Sequence, residues 1–170
     1  MLATMSWLHP DLHDPTLRDG YQDVCDLAGW SDWAPFPDAV LEAPREPGVY
    51  LFRDAESGVI RYAGMVGERA GSGRPQGLYG RLGVYRSGRG AVSGFGEAAL
   101  DRALADPAWV ASQLESLRSD GPRRAKEWAR DAVLRLAPEV CWAVCADRDD
   151  ACHLEDQVML RLRPLGVGNR

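Results

Sequence analysis

The chain has 170 residues, 45% of them hydrophobic and 26% charged, with a formal net charge of −5. That length and balance describe one globular domain with its own core and exclude a disordered or fibrous chain. No apolar run approaches the roughly 18 residues of a membrane span, no basic stretch opens the chain, and four scattered cysteines form no disulfide framework, so a reducing, cytoplasmic setting away from membranes is expected.

Charge is distributed unevenly. Residues 1–47 carry −7, residues 48–90 carry +4 and residues 91–170 carry −2. Only one of the 20 basic residues, Lys126, is not arginine, and the arginine fork suits bidentate phosphate contacts. The overall negative charge argues against an indiscriminate nucleic-acid binder, while the basic centre leaves room for a phosphate site.

In chain order, residues 1–46 read as an acidic N-terminal appendage packed on the core. Asp14-Pro15 predicts a helix start, Leu17, Tyr21, Val24 and Leu27 recur at helical spacing, and Gly29 stops the pattern. Trp30, Trp33 and Phe36 read as packing aromatics. The main domain spans 47–170. Gly48–Phe52 and Val59–Gly64 are strand-like, and Asp54–Gly58 has turn composition, which makes a hairpin. With Arg53 paired to Val59, Phe52 faces Ile60, Tyr50 faces Tyr62, and both tyrosines share one face.

Met65–Gln76 reads as a loop. Leu78, Leu82 and Tyr85 then form a helical stripe that carries Arg81 one turn before Tyr85. Gly80 and Gly83 weaken that helix and predict close approach of another backbone. Residues 88–96 read as a second Gly-rich loop. Three helices are expected over 97–105, 107–118 and 122–136, a strand over 140–145, and a last helix from Asp149-Asp150 to about Arg163.

Two cysteine features carry less. Cys141, Cys145, Cys152 and His153 have zinc-ligand chemistry but not zinc spacing, because residues four apart on a strand stand about 13 Å apart. Buried free thiols fit better. Glu155 lies on an otherwise apolar helical strip, where a carboxylate is costly unless paired or metal-bound. Pattern alone makes it a border residue salt-bridged to Arg161 or Arg163.

One ordered set changes that weighting. Gly48-Val49-Tyr50, then Tyr62-Ala63-Gly64, then Gly80-Arg81-Leu82 with Tyr85, then Glu155, and finally Pro164 with Asn169, resemble the GIY-YIG nuclease superfamily over residues 47–88 and 139–170. The resemblance implies a small α/β fold, a three-stranded antiparallel sheet flanked by helices, with extra helices inserted at about 97–137 before the third strand. It also implies a metal-dependent endonuclease that hydrolyses DNA phosphodiester bonds. Tyr50 and Tyr62 would orient and help deprotonate the water, with Tyr50 as base through a relay. Arg81 would contact the scissile phosphate, with Tyr85 one turn on. Glu155 would be the sole protein ligand of Mg²⁺ or Mn²⁺, and Asn169 would help fix the geometry.

Arg69, Arg74, Arg86 and Arg89 flank this set and are candidate nucleic-acid contacts. RNA is a second possible substrate. No separate DNA-binding domain is recognisable, so a protein partner could supply target choice. The alternative is a catalytically silent module of the same fold that binds nucleic acid or a protein. Met65 after the second tripeptide, and a long stretch from Tyr62 to Arg81, depart from the family pattern.

Overall fold

The computed structural model describes residues 7–68 and 76–168. Arg69, Arg74 and Asn169 lie outside the described residues. The elements, in order, are α1 (Pro15–Cys25), β1 (Ala34–Pro35), a 3₁₀ helix (Asp38–Glu42), β2 (Gly48–Asp54), β3 (Ile60–Val66), α2 (Gly77–Arg86), α3 (Gly94–Leu104), α4 (Pro107–Asp120), α5 (Ala125–Arg135), β4 (Pro138–Val144), α6 (Arg148–Leu162) and a closing 3₁₀ turn (Arg163–Leu165). Among the described residues no helix is long and apolar enough to cross a membrane.

The sheet is antiparallel with strand order β1-β4-β2-β3. It has four strands where three were expected. The extra one is the two-residue β1, which pairs Ala34 with Val140 and covers the outer edge of β4. Trp30 bridges to Ala143 just before it. An unpaired edge of β4 would expose a row of backbone groups, and this extended segment covers it.

The β2–β3 hairpin also departs from the expected register. Arg53 pairs with Ile60, but Phe52 pairs with Tyr62 and Tyr50 with Gly64. Arg61 is the extra residue, bulged out of β3. Side chains alternate with period two, so the net two-residue offset beyond the bulge preserves the face. Tyr50 and Tyr62 still lie on one side of the sheet, diagonal rather than opposite.

Each face of β2 covers a separate core. On one, Tyr50, Phe52, Tyr62 and Val140 pack under α2, α3 and α5 with Leu78, Leu82, Tyr85, Phe95 and Val133. On the other, Val49, Leu51, Ala63 and Cys141 pack under α1 and α6 with Tyr21, Val24, Val158 and Leu162. The N-terminal residues enter both cores, Phe36 and Val40 in the first and Leu12, Tyr21 and Val24 in the second. Capping fixes the helices of the second face. Asp14 accepts from the N–H groups of Thr16 (2.8 Å) and Leu17 (3.3 Å), and Asp147 accepts from Asp150 N–H at 2.9 Å.

The stripe Leu78, Leu82 and Tyr85 buries completely against the first face. The glycines beside it do not act as expected. A Cβ on Gly83 would meet nothing within 4 Å, and one on Gly80 would meet only the Gln76 side chain. Among the described residues no backbone crosses at Gly83, which lies on the outer side of α2. All four cysteines are free thiols. Among the described residues no cluster of three His, Cys, Asp or Glu side chains is placed to bind a metal, so the cysteine–histidine run makes no zinc site.

Candidate active site

The site is built around Tyr50 on the central strand. Its partner across the hairpin, Gly64, leaves the space that its ring fills. A Cβ at position 64 would lie 2.6 Å from Tyr50 Oη and 2.9 Å from Tyr62 Cε1. With that space open, the Tyr50 and Tyr62 rings stack with centroids 6.2 Å apart at 24°. Tyr85, from α2, brings its hydroxyl to 2.8 Å from that of Tyr50. Arg81, one turn earlier, donates from Nε to Tyr50 Oη at 3.4 Å and holds its guanidinium carbon 5.3 Å from the Tyr85 ring centre.

Gly94 closes the cluster. It opens α3 at φ +57°, and a Cβ there would lie 2.4 Å from Tyr85 Oη, 2.9 Å from Tyr62 Oη and 3.2 Å from Arg81 Nη2. Three polar ends therefore converge under one glycine, in a backbone conformation that costs other residues energy. The sequence reading placed residues 88–96 in a loop and missed this contact. The next residue, Phe95, stacks on Phe52 with centroids 3.8 Å apart. The Ser-Gly-Phe-Gly run at 93–96 was its visible signal, since two glycines around an aromatic residue mark close packing.

Burial controls the chemistry of the hydroxyls. Tyr50 is 1% exposed and Tyr85 is fully buried. Burial pushes the Tyr50 hydroxyl well above its usual range, Tyr85 and Tyr62 push the same way, and Arg81 pulls back only in part. Tyr62, 7% exposed, is also raised, first by burial and then by Tyr85, while Arg81 again opposes. The charge of Glu155 adds least to that rise.

Glu155 stands on α6, which packs against β3 and β2 from the opposite side of the sheet. Because β3 is an edge strand, a side chain on α6 can approach Tyr62 around that edge. Glu155 is partly buried, and among the described residues it has neither an ion pair nor a hydrogen bond. Arg161 instead donates to the Gln157 carbonyl at 2.9 Å. The border salt bridge expected from the helical pattern is therefore not formed with Arg161. Burial, then the neighbouring Asp156, raises the Glu155 pKa. A half-buried carboxylate without a partner fits a hydrated divalent cation, which needs only one protein oxygen when water and phosphate supply the rest.

Arg86 and Arg89 are exposed and, among the described residues, unpaired. They line an open groove of about 630 Å³ along the outer side of α2, with Tyr79, Gly80 and Gly83. Arg81 borders a different cleft, of about 230 Å³, between α2 and the end of β3. Arg148, which the sequence reading also missed, stands beside Gly67 of that cleft, its stem 2.6 Å from where a Cβ of Gly67 would be. The chain matches no protein-family model, no curated protein and no solved structure.

Proposed function

We propose that the chain is a metal-dependent endonuclease that hydrolyses a nucleic-acid phosphodiester bond, DNA in the first instance. The observation that carries the reading is the gathering of Tyr50, Tyr62, Tyr85 and Arg81 at one point of the sheet; Glu155, without an ion pair among the described residues, adds its charge to the raised Tyr62 pKa. The gathered residues come from two strands and a helix, and packing alone does not require a cation and three hydroxyls to meet.

In this reading Arg81 holds a non-bridging phosphate oxygen through the guanidinium nitrogens that are unbonded among the described residues, where negative charge develops during displacement. Glu155 holds Mg²⁺ or Mn²⁺, and such an ion when bound stabilises the leaving oxygen and acidifies water. Tyr62 is the more exposed of the two motif tyrosines, so it orients the attacking water. Tyr50 is too buried to meet water directly; it stays protonated and, with Tyr85, holds Arg81 and Tyr62 in position. The base role expected for Tyr50 thus becomes a positioning role.

The full chain, incubated with plasmid, branched duplex, single-stranded DNA and RNA in Mg²⁺ or Mn²⁺, tests the reading. Cleavage that Glu155→Ala loses while its circular dichroism is unchanged is the expected result. No cleavage of any substrate with either ion rejects it. The burial of the tyrosine hydroxyls specifically favours the second reading, a silent module of the same fold that binds nucleic acid without cutting. Salt-sensitive binding without cleavage would select it.

A further inference from the structure

A cavity of about 260 Å³ adjoins the tyrosine cluster on the side away from the Arg81 cleft. Tyr62, Phe95 and Leu136 contribute to its apolar lining, and Arg61, Arg102 and Asp101 contribute charge. Tyr62 thus belongs to both the candidate active site and this cavity. Arg61 is the bulged residue of β3, and the bulge sends its side chain out of the sheet's alternation. Arg61 and Arg102 are exposed, and among the described residues neither makes an ion pair or a hydrogen bond.

Packing explains neither the hollow nor the two cations. Phe52 and Phe95 already stack on each other, and filling the adjacent space with a larger residue than Ala98 or Ala99 would complete the core. Small residues on α3 keep it open instead. Aromatic and aliphatic lining suits a planar ring. Unpaired guanidiniums suit a phosphate, and a carboxylate can accept from exocyclic amino groups. A nucleotide combines a flat heteroaromatic ring with a phosphate, and its exocyclic amino groups can meet Asp101.

We propose that this cavity takes a single unstacked nucleobase of the substrate strand, with Arg61 and Arg102 on the adjoining phosphate. The identity of the strand rests on the nuclease reading, but the test does not require cleavage. The consequence for substrate choice is a preference for strands with an unpaired base, since a paired base must first leave its stack.

Ligand-observed NMR with the metal-free full chain tests the pocket, using AMP and ribose 5-phosphate as probes. AMP is expected to bind and ribose 5-phosphate not. Ala98→Trp, which fills the hollow from α3, weakens AMP binding by roughly tenfold, the scale of one lost base–aromatic contact. Arg102→Glu, a surface change that spares the core, weakens it as well. The proposal is overturned if AMP does not bind, if the two probes bind equally, or if folded Ala98→Trp binds AMP as the wild type does. Should Ala98→Trp fail to fold, undiminished binding by Arg102→Glu overturns it. A protein that cuts DNA but ignores AMP keeps the nuclease reading and loses the pocket. One that binds AMP but never cuts does the reverse.

Discussion

The two faces of the sheet are built from the same strands, yet they are covered by different chemistry. The face under α1 and α6 is filled mainly by Val49, Leu51, Ala63, Val158 and Leu162, and its polar groups are separate pairs, the Tyr21 hydroxyl accepting from Ile60 N–H and Arg53 with Glu139 beside Trp7 and Trp33. The face under α2 and α3 carries three tyrosine hydroxyls and a guanidinium into its interior. Apolar packing stabilises the first face in proportion to buried area. The second must satisfy each polar group with another, which restricts it to one arrangement. The difference teaches that the second face concentrates its polar groups at one point while the first keeps them apart.

Substitutions can break that contrast. The largest expected effect is on the proposed cleavage. If the proposed reading holds, Glu155→Ala should lower cleavage on the order of a thousandfold or more, because it removes the carboxylate that would hold the cation. Leu162→Ala on the face under α1 and α6 should destabilise by about 2–5 kcal/mol in urea unfolding. The folded fraction of that variant should keep its cleavage rate. Gly94→Ala places a methyl against Tyr85 Oη at φ +57°. It should cost roughly 1–3 kcal/mol and also lower cleavage, since the displaced atoms belong to the site. Tyr85→Phe leaves the Tyr50 hydroxyl without its 2.8 Å partner and should cost about 1–2 kcal/mol.

The smallest effect sharpens the comparison most. Glu155 has its pKa raised in the folded protein by burial. Its charged form is therefore penalised on folding, and stability falls as pH rises from the unfolded-state value through the raised one. Glu155→Gln should raise Tm at pH 7 and leave it unchanged near pH 3.5, as scanning calorimetry would read. A stability loss at pH 7 would mean that the carboxylate has a partner, and the argument for a cation there would fall.

Local pattern made several parts of the fold legible. Asp14-Pro15 marked α1, the turn composition of Asp54–Gly58 marked the hairpin, and Leu78, Leu82 and Tyr85 marked the buried side of α2. Register was not legible in detail, because the bulge at Arg61 depends on how the turn closes. Nor was β1, since a two-residue strand has no periodicity to read. The outward direction of Gly83 was missed because glycine identity does not say whether the missing side chain leaves room for a backbone or for solvent.

The sequence by itself determined the alternation that puts Tyr50 and Tyr62 on one face, the helix that carries Arg81 and Tyr85, and the lone carboxylate of Glu155 on an apolar strip. Period and composition act over a few residues, so they survive without long-range contacts. Only the tertiary structure decided that α3 presses Gly94 onto the hydroxyls, that the bulge at Arg61 opens beside a hollow, and that Glu155 has no partner among the described residues. Those outcomes depend on residues far apart in the chain meeting in space. Burial, which raises the tyrosine and glutamate pKa values, exists only once they have met.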